Sequence, residues 1–225
     1  MEALAEFFHE YAPMLRQGLG ETCLMTFGAL LCSYALGLPL GVLLTLTAPG
    51  GMHRRKRLYA LLGTITDVGR SVPFLILMLA LIPFTRLVAG TTIGPRAALV
   101  PLVAGAAPFV ARLVESALAQ VDPNLVESAR AWGATPLQTA WRVLLPEAAP
   151  ALVRGLAITG VTLTAYSAMA GAVGAGGLGD IAIRYGYHRY EYGVMMATLV
   201  LLILFVQLLQ GVCVLVARRM EERVR

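Results

Sequence analysis

Charged residues are scarce in this sequence. Lys and Arg number 18 and Asp and Glu 13 among 225 residues, or 14%, whereas hydrophobic residues make up 58%. An average soluble domain has about 25% charged residues. The mean hydropathy is +0.73, and one soluble core of this size could not bury so much apolar surface. The composition therefore excludes an ordinary soluble domain and favours a protein dissolved in a lipid bilayer.

Cysteine is also rare. Cys23, Cys32 and Cys213 are too few and too widely spaced for a metal site or a disulfide framework, and we interpret them as small apolar side chains. We expect no metal and no cofactor on this chain. The glycine-rich run from Gly171 to Gly179 does not fit a phosphate-binding loop, because no Gly-Lys-Ser/Thr follows it. It indicates tight backbone packing or a helix break beside a pore.

Uncharged runs mark the membrane spans. Residues 22–48, 155–179 and 192–217 each exceed the roughly 20 residues that a spanning helix requires. Two shorter runs, 71–85 and 97–111, reach that length only with flanking turns that carry charges. The sequence therefore predicts an all-α fold, a polytopic helical membrane protein with five transmembrane helices. Their expected bounds are residues 22–48, 60–85, 97–118, 150–172 and 193–217.

Basic residues set the expected orientation. With the N-terminus outside, twelve of the 18 Lys and Arg residues fall in cytoplasmic segments and five outside, in keeping with the positive-inside tendency. Residues 1–21 would then be an outer amphipathic segment, 22–217 the transmembrane domain and 218–225 a cytoplasmic tail. The acidic N-terminus predicts no cleaved signal peptide. Because the basic residues flank membrane spans, we expect contact with lipids and no nucleic-acid binding.

Two opposite charges lie inside the second predicted span. Asp67 and Arg70 are three residues apart, so they share a helical face and can form an ion pair. Charge at membrane depth is a sign of function by default. We favour a structural role at the membrane interface, and a buried pair within the helix bundle is the alternative. Pro73 and Pro83 are expected to kink this span.

The segment between the third and fourth spans, residues 119–148, is polar and carries helix-capping signals. Asp122 followed by Pro123 is typical of a helix start. That first helix should run to Trp132, and Gly133 is placed to end it in a left-handed conformation.

A second short helix is expected directly after this turn. Thr135 is its predicted cap, with Gln138 at the capping-box position. The helix should end before Pro146, because the residue preceding a proline avoids helical backbone. Its apolar residues form one rough stripe: Leu137, Trp141, Leu144 and Leu145.

A sequence motif runs through both helices. Glu127-Ser-Ala-Arg-Ala-Trp-Gly133 is followed after nine residues by Val143-Leu-Leu-Pro146. The two stretches resemble the cytoplasmic EAA loop by which permease subunits of bacterial ABC importers dock onto their ATPase. Ser128 replaces an alanine of that pattern, and Val143 replaces an isoleucine. The resemblance implies that the ATPase-coupling residues are Glu127, Ser128, Ala129, Gly133, Val143, Leu145 and Pro146.

Further segments resemble the permease of bacterial methionine ABC importers. They are Gly69–Phe74, Ile82–Arg86, Val88–Gly94, Gly105–Phe109 and Tyr166–Gly179. The resemblance implies a homodimer in the bacterial inner membrane with two cytoplasmic ABC ATPase subunits and an extracytoplasmic methionine-binding protein that delivers L- or D-methionine. The chain lacks a Walker motif, so ATP and Mg would bind only the partner ATPase, and we expect no enzyme activity here.

The fourth span is where we expect the translocation path. Tyr166, Ser167 and Met169 are predicted to line the pore, because an aromatic ring and a soft thioether suit an apolar amino acid. Simple packing by Met169 is the alternative. Two other functions stay open: a permease for another small amino acid, and a secondary carrier. A carrier would need repeats or paired intramembrane charges, for which only Asp67 and Arg70 are candidates.

Overall fold

The computed structural model describes the backbone of residues 2–224 and the side chains of residues 9–222. Within that part of the chain every regular element is helical, which confirms the all-α prediction. The helices are α1 (Glu2–Thr47), α2 (Lys56–Ser71), α3 (Phe74–Ala80), α4 (Ile82–Ala89), α5 (Pro95–Leu118), α6 (Pro123–Ala131), α7 (Pro136–Thr139), α8 (Leu145–Glu147), α9 (Ala149–Gly171), α10 (Gly177–Ile181) and α11 (Tyr192–Val224). Two π-helical segments, Ala140–Leu144 and Ala182–Tyr187, follow α7 and α10.

Long apolar helices supply the membrane spans. If α2 and α3 are counted together, they make a fifth candidate span with a break in it. Both residues of the break, Val72 and Pro73, have extended backbone with ψ of 124° and 130°. Proline disfavours helical backbone at the preceding residue, so Pro73 interrupts this span as expected. The four continuous spans are His9–Thr47, Pro95–Leu118, Ala149–Gly171 and Tyr192–Glu222.

The last span, in α11, is strongly apolar and little buried. Its most apolar window has a mean hydropathy of 2.8, and only 11% of that window is buried. Leu204, Leu208 and Leu215 are all more than half exposed. A contiguous apolar surface of this kind is unfavourable in water and requires lipid or another protein chain beside it.

Both ends of the chain continue long helices. The predicted amphipathic segment over residues 1–21 is continuous with the first span, because α1 is one helix from Glu2 to Thr47. Leu15, within that predicted segment, is a buried core residue, so tertiary packing carries the helix beyond the uncharged run. The predicted tail is likewise the end of α11, because residues 218–222 are good helix formers without glycine or proline. Met1 and Arg225 lie outside the described residues.

The chain forms two compact units. The first unit comprises residues up to 31, 73–103 and 160–209, and one of its core clusters is built from Leu15, Leu178, Ile181 and Val194.

The second unit comprises residues 32–72, 104–159 and 210 onward, and it contains the whole polar segment 119–148. Its core is centred on Val110, Val114 and Leu118 of α5, which are almost completely buried.

Candidate coupling site

The first helix of the polar segment, α6, begins with the predicted cap. The Asp122 carboxylate accepts a hydrogen bond of 2.9 Å from the Asn124 N–H, and Pro123 occupies the first turn. The cap satisfies one of the backbone donors that a helix start leaves open. No residue of α6 is buried, so local bonds at its ends contribute much of what fixes this short helix.

Gly133 ends α6 in the left-handed conformation that the sequence predicts. Its φ is +80°. The Gly133 N–H donates to the Arg130 carbonyl at 2.9 Å, and the Ala134 N–H donates to the Ala129 carbonyl at 3.1 Å. These two bonds form a Schellman motif, which satisfies carbonyls at the helix end. The turn between the two helices is therefore set by backbone hydrogen bonds around one glycine.

The second helix, α7, starts with a complete capping box. The Thr135 hydroxyl accepts from the Gln138 N–H at 3.3 Å, and the Gln138 side-chain oxygen accepts from the Thr135 N–H at 2.9 Å. This reciprocal pair confirms the predicted start of the helix.

The predicted end of this helix before Pro146 is wrong. A π-helical segment, Ala140–Leu144, follows α7, and the Leu145 N–H donates five residues back to the Ala140 carbonyl. The widened turn makes room for the proline ring, which would otherwise press on the carbonyl four residues earlier. The Ala148 N–H then bonds the Leu144 carbonyl at 2.9 Å. The path from α7 through α8 to the span α9 is therefore almost continuously helical.

The inner face of the segment is fixed to the core of the second unit. Ala140 and Leu144 are buried there, and Val126 and Leu145 pack against the same cluster. The predicted apolar stripe therefore divides between two faces. Leu144 and Leu145 point inward, and the π-helical turn shifts the register of the residues before them.

The outer face of the segment carries large apolar side chains that stay well exposed within the part of the chain that the structure describes. Leu125 is 42% exposed, Trp132 90%, Leu137 61% and Trp141 62%. We call these four residues the exposed apolar face. The helix α6 contacts both α7 and the π-helical segment, so the four side chains belong to one compact helix pair. Two exposed tryptophans on such an element are typical of a surface that a partner covers.

The residues of the motif fall into two groups. Glu127, Ser128, Gly133 and Pro146 are exposed, whereas Ala129, Val143 and Leu145 are half-buried. The exposed group lies on the same helix pair as the exposed apolar face. The sequence pattern predicts no role for Trp132 or Leu125 and places Trp141 and Leu137 on a stripe with Leu144. The signal that could have found them is the presence of tryptophan in a polar segment.

The three predicted pore residues have different surroundings in the first unit. The Tyr166 ring stacks on Phe74, with centroids 4.3 Å apart and planes 2° apart. Ser167 is buried, and its hydroxyl donates to the Thr164 carbonyl at 2.8 Å. Met169 is 50% exposed. Of the three side chains, Met169 presents the most surface, and Ser167 is occupied within its own helix.

The glycine-rich turn after α9 is tightly packed, as one of its two predicted roles required. The Glu21 carboxylate accepts from the Gly177 N–H at 2.7 Å, and the Thr22 hydroxyl accepts from the Leu178 N–H at 3.0 Å. A Cβ on Gly179 would lie 2.6 Å from the Ala168 Cα. The turn is therefore held by residues from far away in the sequence.

Asp67 has a closer partner than the predicted one. Its contact with Arg70 is 3.9 Å long. Arg112, on α5, instead donates from Nε to Oδ1 at 3.0 Å and from Nη2 to Oδ2 at 2.7 Å. Arg112 also donates from Nη1 to the Glu115 carboxylate at 2.6 Å.

These features define the class of protein first. A chain with four or five candidate apolar spans, an exposed apolar surface on α11 and a capped helix pair with exposed tryptophans has the features of a multi-pass membrane protein. Residues 37–225 match the family described as the binding-protein-dependent transport system inner membrane component. The chain belongs to this family.

Three similar proteins extend this assignment. The probable D-methionine transport system permease protein MetI of Vibrio cholerae is 50% identical over 220 residues, which cover 98% of each chain. Its counterpart of the same name in Pasteurella multocida is 45% identical over 203 residues, 90% of this chain and 94% of that protein. A solved inward-facing structure of the MetNI methionine ABC transporter superposes with a TM-score of 0.92 at 48% identity, covering 94% of this chain and 98% of that one.

Proposed function

We propose that this chain is the permease subunit of an ATP-driven importer and forms the path for methionine across the inner membrane. The observation that carries the proposal is the likeness to the D-methionine permease of Vibrio cholerae, 50% identical over 98% of both chains. The likeness to the MetNI transporter structure, at a TM-score of 0.92, supports the same conclusion.

The proposed assembly contains two copies of this chain, two cytoplasmic ABC ATPase subunits and an extracytoplasmic methionine-binding protein. Single-chain features support it. The spans leave apolar surface uncovered, and the polar segment leaves two tryptophans uncovered. ATP and Mg belong to the ATPase in this proposal, and this chain supplies the docking element and the path.

In this proposal the ATPase docks on α6 and on α7 with the π-helical turn after it, residues 123–144, which we call the coupling helix pair. The exposed apolar face would fill a groove of the ATPase, where desolvated tryptophans contribute most of the binding free energy. Glu127 and Ser128, both exposed, would add polar contacts at its edge. Because the helical path from α7 to α9 is almost continuous, movement of the docked pair would be transmitted directly to the fourth span.

The proposed orientation has the N-terminus outside and the C-terminus in the cytoplasm. Its support is the distribution of basic residues, which flank the segment that must meet a cytoplasmic ATPase. With that orientation, the polar segment 119–148 lies on the cytoplasmic side.

For the path itself, Met169 and Tyr166 are the proposed lining residues. Met169 is half exposed and Tyr166 partly so, whereas the buried and bonded Ser167 would shape the helix rather than meet the substrate. Met169→Ala should lower the rate of methionine uptake or alter the ATPase rate in the absence of substrate. If it changes neither quantity, Met169 only packs.

The overall proposal is tested by reconstitution. The chain is placed in proteoliposomes with its ATPase, and uptake of labelled methionine is measured with methionine-loaded binding protein outside and ATP inside. We expect uptake only when all components are present. Uptake by this chain alone, driven by an ion gradient, would show a secondary carrier instead. ATP-driven uptake of a different small amino acid, with no uptake of methionine, would reject methionine as the substrate. It would leave the proposal of an ATP-driven importer in place.

A further inference from the structure

The helix α2 is weakly held by apolar contacts in the second unit. Only two of its residues, Gly63 and Thr66, are buried. The Thr66 hydroxyl bonds its own helix, at the Leu62 and Gly63 carbonyls. Leu61 and Ile65 are more than half exposed. Something other than a buried apolar face must therefore fix α2 against its neighbours.

Arg112 of α5 supplies that connection. Its guanidinium holds the Asp67 carboxylate with two parallel bonds of 3.0 and 2.7 Å, and Nη2 also donates to the Gly63 carbonyl at 3.1 Å. The same group donates to Glu115 on its own helix at 2.6 Å. Paired bonds from one planar group fix angle as well as distance, which a lysine ammonium cannot do.

The backbone of both helices is shaped for this contact. A Cβ on Gly63 would lie 3.0 Å from Arg112 Nη2, and one on Gly69 would lie 2.8 Å from Cγ of Pro108. Gly63 and Asp67 are four residues apart, as are Pro108 and Arg112, so each pair lies on one face of its helix. The helices α2 and α5 therefore meet along a short stripe. Gly63 and Gly69 allow close approach on either side of the ion pair between Asp67 and Arg112.

The cluster is buried on its α5 side and open on its α2 side, where the Asp67 side chain is 59% exposed. The Arg112 side chain is 19% exposed and that of Glu115 is 16% exposed, and both lie inside the span Pro95–Leu118. Arg70 lies 3.9 Å from Asp67, so the cluster contains two positive and two negative groups. Paired charges within a candidate membrane span are a sign of function by default.

The position of Arg112 in the chain connects it to the polar segment 119–148, which we call the coupling segment. Arg112 lies six residues before Leu118, where α5 ends and the coupling segment follows. At 1.5 Å per residue, six residues correspond to about 9 Å of rigid helix. A displacement of the coupling segment therefore reaches Arg112 through a short piece of helix.

We propose that Arg112 is a positioning residue: its paired bonds to Asp67 and the Gly63 carbonyl make α2 follow α5 when the coupling segment moves. Without them, ATP hydrolysis continues, but α2 no longer moves with α5 and less methionine is transported for each ATP. This inference rests on the proposed function, because it presupposes a docked ATPase.

The test compares three variants of the permease in the full reconstituted transporter. They are Arg112→Lys, which keeps the charge and loses the paired geometry, Asp67→Asn, which loses the acceptor charge, and Thr64→Ala as the control at an exposed position of the same helix outside the cluster. For each, methionine uptake and ATP hydrolysis are measured and expressed per assembled complex. We expect uptake per ATP to fall about fivefold or more in the first two, the lower end of typical coupling effects, and to stay unchanged in Thr64→Ala.

Equal losses of uptake and hydrolysis, in proportion to the amount of assembled complex, would show a purely structural contact and overturn the proposal. Should Arg112→Lys not assemble, Asp67→Asn decides, because that carboxylate is 59% exposed and its change to an amide is nearly isosteric. An unchanged ratio of uptake to hydrolysis in Asp67→Asn also overturns the proposal. Failure of the wild-type chain to couple to an ATPase at all would instead reject the proposed function.

Discussion

The coupling segment and the glycine-rich turn after α9 both depend on glycine, but for different physical reasons. At Gly133 the backbone has a φ of +80° and a Cβ would meet nothing within 4 Å. At Gly179 a Cβ would overlap the backbone of Ala168. The first glycine is required by conformation and the second by space. The coupling segment is therefore built from local bonds and keeps its surface open, whereas the other turn is locked by contacts distant in sequence.

The largest expected effect is the loss of stability when the tightly packed glycine-rich turn is disrupted. Gly179→Ala should destabilise the first unit by about 3 kcal/mol, because the new methyl group meets rigid backbone. The matched control is Gly20→Ala on α1, where nothing lies within 4 Å of the added carbon. Thermal unfolding in detergent checks both variants. Equal melting temperatures for the two would show that the turn is not tightly packed.

The next effect concerns binding. Trp132→Ala should weaken association with the ATPase by about 2 kcal/mol, or roughly 30-fold, as for a central interface tryptophan. Stability of the permease should not change, because the side chain is 90% exposed. Affinity is measured by titrating the purified ATPase onto the permease in nanodiscs. Leu215→Ala, at an exposed position on α11, is the control, and an equal loss there would argue against a specific docking face.

A smaller effect isolates the conformation of the turn in the coupling segment. Gly133→Ala should destabilise the turn by about 1–2 kcal/mol, because a left-handed residue with a Cβ is strained. The strained turn should also weaken binding of the ATPase. Gly133→Asn should cost less, because asparagine tolerates this conformation. The same ATPase titration is expected to rank wild type, Asn and Ala in that order. Identical affinities for Ala and wild type would show that the angle between α6 and α7 does not matter for docking.

The smallest effect is expected at the capping box. Thr135→Ala removes the acceptor for the Gln138 N–H and should cost about 1 kcal/mol of local helix stability. Thr135→Ser retains the hydroxyl and serves as the control. Hydrogen exchange of residues 136–139 reports the difference directly. Faster exchange in both variants would mean that the threonine methyl group, rather than the hydroxyl, supports the helix.

The difference between local bonds and contacts distant in sequence also explains how much of the structure the sequence predicts. Residue type and spacing suffice for features that act within a few residues, which are the caps at Asp122 and Thr135 and the left-handed Gly133. The four continuous candidate spans also follow from local composition, because uncharged runs mark them. Residue type and spacing do not predict contacts between residues that are distant in sequence. Asp67 was paired with Arg70, three residues away, whereas its closest partner, Arg112, is 45 residues further along the chain.

The continuation of the helix through Pro146 has the same origin. The sequence predicts an end before Pro146, but a π-helical turn that contains the core residues Ala140 and Leu144 lets the helix continue. Ser167 is buried with its hydroxyl bonded to the Thr164 carbonyl, and its place beside a pore stays a prediction. Periodicity identifies which residues share a helical face, but the neighbouring helices decide whether that face is covered.

The central claim is that an ATPase docks on the coupling helix pair, and hydrogen exchange tests it most directly. Exchange is compared between the permease alone and the permease bound to its ATPase. We predict slower exchange across residues 123–141 in the complex, because the exposed apolar face becomes covered, and no change across residues 175–181, which are already locked. Unchanged exchange at 123–141, with protection elsewhere in the chain, would contradict docking at this site.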